Sequence, residues 1–311
     1  MQHTRPTHIP SSSRLPGYVL ATLGSLAYAA TGPIIKYLLE THHVLPLALA
    51  FWRNACIGVA CLIVLFALKP KLLHVGWAPF RRFALIGATS IALFHILWIY
   101  SVQLNGAAIA VVLLNLNPSF ATLGSRIFFG EHITKHQIIA LFIALIGCIL
   151  AVRAYDPAVF QTSWVGTLVG VGSAAGLAAY LLFNQHAVKD HNPWVSLALT
   201  MLFGAVSLFV LTLLIYGIGG VMDVGSGWTP WVVLLILALL PTLLGYGLII
   251  SSMNHIPVRI ASLITLLELP ATALLAFFLL GEQLEMLQMV GMVLILVAAG
   301  LPVFERKQRA A

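Results

Sequence analysis

Charge is what this sequence has least of. Only 8% of its 311 residues are Asp, Glu, Lys or Arg, about a third of the ~25% that a soluble domain carries. A chain so poor in charge cannot wet the surface of a soluble monomer. Its 60% apolar content and mean hydropathy of +1.01 equally exclude a long disordered protein. Acidic residues are scarcer than basic ones, nine against sixteen, for a net charge of +7. In a membrane protein that balance reflects basic cytoplasmic loops, and no nucleic-acid partner is expected. Cysteine is nearly absent: Cys56, Cys61 and Cys148 all lie inside apolar runs, with neither a disulfide framework nor a zinc-type spacing. Asp156, Asp190 and Asp223 all fall between apolar runs, so the spans lack the paired aspartates of an intramembrane aspartyl protease.

What is present is apolar sequence in lengths that suit a bilayer, at about 20 residues per crossing. Runs bounded by Pro, Gly or charge predict ten transmembrane helices, at 17–39, 46–68, 83–102, 107–129, 134–152, 164–186, 194–216, 231–253, 258–280 and 286–304. Continuous helices are expected, because lipid offers no partners to backbone polar groups. The longest connection is a Gly-rich stretch at 217–230. Residues 27–29 read Ala-Tyr-Ala, like a signal-peptidase site, but the apolar run continues to Leu39 and is expected to stay uncut. An even number of spans puts both termini on one side. With the termini inside, eleven Lys and Arg fall in cytoplasmic segments and two, Lys36 and Arg153, on the opposite side. The positive-inside rule therefore makes both termini cytoplasmic.

Offsetting the chain on itself by 151 residues aligns 101–131 with 252–282 without a gap. Ser101/Ser252, Ile109/Ile260, Ala110/Ala261, Leu116/Leu267, Leu123/Leu274, Gly130/Gly281 and Glu131/Glu282 are identical, and Gln137/Gln288 continues the register. Five spans per half is odd, so the second half must enter the membrane upside down. The expected architecture is an all-α polytopic membrane protein of two inverted-topology five-helix repeats, 17–153 and 164–304, with a cytoplasmic segment at 1–16 and a basic tail at 305–311. Inverted repeats are a recurrent plan of secondary transporters, whose solute site lies near midplane where the halves meet.

Two stretches carry a family resemblance. Leu113-Leu-Asn-Leu-Asn-Pro-Ser-Phe, closing with Phe129-Gly-Glu, and Ile264-Thr-Leu-Leu-Glu-Leu-Pro, closing with Leu280-Gly-Glu, resemble the two signatures of EamA-type transporters in the drug/metabolite transporter superfamily. The resemblance covers essentially 17–304. It implies a bacterial inner-membrane metabolite carrier, frequently an exporter of amino acids or related compounds. One departure stands out: Leu269 separates Glu268 from Pro270, where the family often has Glu directly before Pro. The helix break is expected to shift by one residue.

Polar residues inside the spans are the candidate site. Glu268 is the one glutamate at the middle of a span, where an ionised carboxylate costs at least ~2.5–3.5 kcal/mol. It is either a solute- or proton-binding group in a wet cavity, and so the candidate for proton coupling, or a protonated acid bonded to a neighbouring carbonyl. The repeat places Asn117 opposite it, and pairs His95 with Tyr246. Trp98 shares a helix face with His95; the two line a cavity or serve packing. Tyr180 with Asn184, and Tyr28 with Thr31, are further candidates that equally suit interhelical hydrogen bonding. Arg53 either meets a solute carboxylate or pairs within the protein. Glu131 and Glu282 each follow a helix-ending Gly and are expected to organise a turn; Thr134-Lys-His-Gln has the form of a capping box. Gly166/Gly170 and Gly172/Gly176 have small-residue packing spacing. His132 and His136 beside Glu131 lack a third metal ligand, so neither metal nor cofactor is expected.

A secondary transporter of a small organic solute, with or without protons, is the leading function. An intramembrane enzyme would need a nucleophile and base at matched depth. A channel or sensor would need a filter loop, a charged ring or a signalling domain.

Overall fold

The computed structural model describes residues 14–131, 133–157, 164–188, 191–280 and 285–310, and every element among them is helical. Glu282, His132 and Asp190 lie outside the described residues. Seven helical stretches are long and apolar enough to cross a membrane: Leu15–Thr41, Pro46–Leu68, Trp77–Ser101, Trp164–Gln185, Pro193–Val221, Thr229–Ser252 and Val258–Leu275. Lys135–Ala151 and Met286–Leu301 are shorter apolar helices.

Several spans expected to be continuous are interrupted. The first is two helices, α1 (Leu15–Tyr28) and α2 (Thr31–Thr41), parted at Ala29 and Ala30. By contrast α3 (Pro46–Leu68) is unbroken, with Pro46 in the first turn, where its missing N–H costs nothing. The third span opens with α4 (Trp77–Leu85), passes through a π-helical turn over Ile86–Ile91 and continues as α5 (Ala92–Leu114). A break at Asn115 and Leu116 precedes α6 (Asn117–Phe129), and α7 (Lys135–Ala151) follows. The second half holds α8 (Trp164–Ala187), α9 (Pro193–Val221) and α10 (Thr229–Leu237). A second π-helical turn, Ala238–Thr242, leads into α11 (Leu243–Ser252), then α12 (Val258–Thr265), α13 (Glu268–Leu280) and α14 (Met286–Ala310).

The interruptions obey the repeat. The 151-residue offset carries 86–91 onto 237–242, and the break at Asn115 and Leu116 onto Leu266 and Leu267. Prolines explain their local chemistry: Pro118, Pro241 and Pro270 donate no N–H to the preceding turn. Side chains take up the carbonyls. Asn115 Nδ2 donates to Val111 O (2.9 Å), Asn117 Nδ2 to Leu114 O (3.2 Å) and Thr265 Oγ1 to Ser262 O (2.7 Å). Pro270 stands one residue later than Pro118 in the register, yet the break has not moved, so the shift expected from Leu269 does not occur.

The third and fourth spans were expected to part at 103–106; the third apolar span does end at Ser101, although helical backbone is continuous through α5. The chain still reverses there. A methyl group on Gly170 would lie 2.7 Å from Ser101 Oγ and 2.9 Å from Leu113 Cβ, although twelve residues of straight helix span about 18 Å. The connection expected at 217–230 is likewise shorter, because α9 continues to Val221 past a bend at Gly217, whose φ of 68° suits glycine.

α3 packs along α9, α7 along α14, α5 along α8 and α1 along α11. Exchanging the two halves maps this set of neighbours onto itself, α5 with α8 becoming α11 with α1. Small residues permit the close crossings. A Cβ on Gly24 would lie 2.9 Å from Gly245 O, which brings Tyr28 on α1 against Tyr246 on α11. On α8, Gly166, Gly170, Gly172 and Gly176 face Asn105, Ser101, Leu97 and Phe94 of α5, as their spacing predicts.

Candidate functional site

The helix breaks and the α1–α11 crossing border one cavity of about 160 Å³ between the halves. Tyr28, Thr31, Arg53, Trp98, Asn115 and Asn117 enter it from the first half; Tyr246, Thr265 and Glu268 enter from the second. Asn117 and Glu268 open the half-helices α6 and α13, so each sits where unbonded helix N–H groups favour negative charge. A larger cavity of about 250 Å³, by Ala60, Leu65, Trp194 and Leu243, is lined mostly by apolar side chains and supplies little recognition chemistry.

Two polar groups in the central cavity are incompletely bonded. Arg53, 6% exposed, bonds His95 Nε2 through one terminal nitrogen (2.5 Å), and its Nε has no partner. Asn117 Oδ1 also has none. Neither Arg53 nor Glu268 belongs to an ion pair among the described residues. The cavity thus presents a guanidinium on α3 and a carboxyl with an amide on α13 and α6. Tyr28 and Tyr246 stand edge to face between them, ring centroids 5.2 Å apart. A small molecule with an anionic and a cationic end matches this wall, its apolar part against Trp98 and the tyrosines.

Of the residues expected in the site, the structure brings Arg53, Trp98, Asn117, Tyr246 and Glu268 to the cavity wall. It sets three behind it. His95 is buried against Arg53 and Asn54. Tyr180 lies edge-on to Tyr246 with its hydroxyl 3.4 Å from Thr200 Oγ1. Asn184 donates to Tyr180 O (3.0 Å) and accepts from Ser196 Oγ (2.5 Å). Tyr180 and Asn184 are one turn apart on the side of α8 that faces α9, and they join those helices. Tyr28 and Thr31, ranked lower from sequence, do line the cavity; so do Asn115 and Thr265, which sequence reasoning passed over. Asn115 lies within the quoted motif, and its polarity beside a proline-marked break was the available signal.

The halves are also tied at two ends. Glu131 meets Arg259 (3.3 Å), joining the end of α6 to the start of α12. Arg153 meets Glu285 (3.1 Å) and Asp156 (2.9 Å), joining the end of α7 to the start of α14. Gly130, at φ 66°, makes the turn expected of the Gly-Glu pair, while Glu131 itself bridges the halves. The capping box at Thr134 forms, with Gln137 reaching back to the Thr134 N–H (3.1 Å). Its repeat counterpart Gln288 does the same at Glu285 (3.0 Å), which accounts for the shared glutamine.

Comparison with known proteins places this geometry. The transporter YyaM of Bacillus subtilis, itself named as uncharacterized, is 26% identical over 94% of this chain and 98% of its own. An uncharacterized transporter of Archaeoglobus fulgidus is 25% identical over 64% of this chain and 68% of its own. The pseudopaline exporter CntI of Pseudomonas aeruginosa is 25% identical over 57% of this chain and 59% of its own. A solved crystal structure superposes with a TM-score of 0.74 over 97% of this chain and 99% of that one, at 18% identity, a likeness of fold alone. The model of the EamA-like transporter family matches twice, over residues 15–153 and 164–303. A polytopic helical chain with interrupted spans repeated at one offset, matched end to end by that family, is a membrane transporter belonging to the EamA-like family.

Proposed function

We propose that this chain is a secondary transporter, working as an exporter, for a small zwitterionic metabolite of the amino-acid kind. In this reading ten spans form two inverted five-helix repeats in the inner membrane with both termini cytoplasmic, and the halves rock about the central cavity in alternating access. The observation that carries it is the cavity's charge layout: the Arg53 guanidinium on one wall, Glu268 and the free Asn117 oxygen on another. Burying ionisable groups away from any ion partner is costly in a membrane and is repaid when a solute supplies the counter-charges. Repetition of the breaks supports rocking halves, and the name of CntI supports export.

The test is counterflow in proteoliposomes holding the purified protein, with L-amino acids, their amides and their decarboxylated amines as competing solutes. Saturable exchange that requires both the carboxylate and the amine is expected. Equal competition by the amines alone removes the role given to Arg53, and the absence of exchange by any amino acid overturns the substrate class.

A further inference from the structure

Behind the cavity wall, Arg53 is backed by two residues that the transport reading does not use, His95 and Asn54. Asn54 is 1% and His95 2% exposed. A guanidinium offers donors and no acceptor, so the contact between Arg53 and His95 Nε2 requires a lone pair on that nitrogen. His95 is then neutral, with its proton on Nδ1. Asn54 stands 3.4 Å from Nδ1. Its nitrogen is drawn toward the ring, and a 180° turn of the amide puts Oδ1 there as the acceptor that Nδ1–H needs.

We infer that His95 is a positioning residue for solute recognition, holding the Arg53 guanidinium so that its remaining N–H groups face a solute carboxylate. Asn54 fixes the tautomer of His95, much as a second partner fixes the tautomer of a metal-bound or catalytic histidine. Three observations converge on it. Arg53 lines the cavity, and its Nε lacks a partner. No carboxylate lies within ion-pair distance of it among the described residues, so the buried cation is left to an incoming anion. Third, the repeat places Gly204, Ala205 and Tyr246 opposite Arg53, Asn54 and His95. The second half builds the same helices without this trio, so the frame alone does not demand it.

The inference rests on the reading that the solute carries a carboxylate, and the experiment separates the two. In protein with ¹⁵N-labelled histidine, the spectrum minus that of His95→Gln isolates the His95 ring. An unprotonated Nε2 and a protonated Nδ1 are expected at neutral pH, with the Nε2 signal moving in Arg53→Met. An imidazolium or an Nε2–H tautomer overturns the inference. In proteoliposomes the probe is a mixture of radiolabelled L-amino acids, followed by the amino acid taken up fastest. His95→Gln keeps a carbonyl that can accept from Arg53, and its KM is expected to stay within about threefold of the parent. His95→Leu keeps volume but no acceptor, and its KM should rise about tenfold or more, with maximal rate changed less. Melting temperatures of both variants show that they fold. Equal KM in the Gln and Leu variants overturns the positioning role. Absence of uptake by the parent strikes the functional reading instead, and the nitrogen spectra then decide the tautomer and its link to Arg53 on their own.

Discussion

Glu131→Gln removes one side of an ion pair that ties α6 to α12 across the two halves. The pair is 3.3 Å long, with side chains 16% and 21% exposed. Fully exposed pairs contribute ~0.2–1 kcal/mol, and breaking a fully buried one costs ~3–5 kcal/mol. A shielded pair between those limits is worth about 1–2 kcal/mol, equivalent to about a 5–30-fold change in the population of the state that contains it. If the halves part at this end during transport, the variant should open the cavity there more often. Asn115 lines the cavity, so Asn115→Cys, with Cys56, Cys61 and Cys148 replaced, reports opening through its rate of reaction with a maleimide. Labelling from the side bearing Glu131 should quicken about 5–30-fold in Glu131→Gln, and likewise in Arg259→Gln. The doubly reversed protein, Glu131→Arg with Arg259→Glu, should return toward the parent rate. Rates within twofold of the parent in both single variants, or a double variant no slower than the singles, would refute the reasoning.

Glu268→Gln retains shape and hydrogen bonding but cannot titrate; a proton-coupled carrier should then keep solute exchange between equal pH values while losing its response to a pH gradient, read in proteoliposomes. Unchanged gradient response in the Gln variant assigns Glu268 no part in coupling. Tyr246→Ala and Trp98→Ala should weaken apparent solute affinity more than they lower the melting temperature, since both line the cavity; Tyr246 also packs edge-on with Tyr28 and Tyr180, so Tyr246→Phe should lower the melting temperature less than Tyr246→Ala. Thr134→Ala should cost about 1 kcal/mol of stability through loss of the capping box, without changing KM. In intact cells a membrane-impermeant thiol reagent should label Ser226→Cys and spare Lys71→Cys; the reverse pattern would invert the proposed orientation.

Much of the fold was legible because bilayer length and apolar composition leave few alternatives. The span 46–68 coincides with α3, and 164–186 and 134–152 lie within a residue or two of α8 and α7. At 115–116 and 266–267 the expectation of continuous helices failed near a proline, where Asn and Thr side chains satisfy the carbonyls that lipid cannot. At 103–106 the chain reverses where the boundary between two spans was expected, although helical backbone is continuous there.

The sequence by itself determined that this is a membrane protein and that it is a repeat. Composition excludes other solvents, and an offset of 151 residues is visible without coordinates. It also marked Arg53, Trp98, Asn117, Tyr246 and Glu268 as polar or aromatic groups at costly depth. Only the tertiary structure decided which of these share a cavity, because helical spacing places a residue on a face but says nothing of which helix that face meets. On α8, Tyr180 and Asn184 are directed to α9, while a Gly24–Gly245 crossing delivers Tyr28 to the cavity. The bridges Glu131–Arg259 and Arg153–Glu285 join residues 128 and 132 positions apart. Such pairings depend on how helices cross, and helix crossings are settled by small residues and packing across the whole bundle.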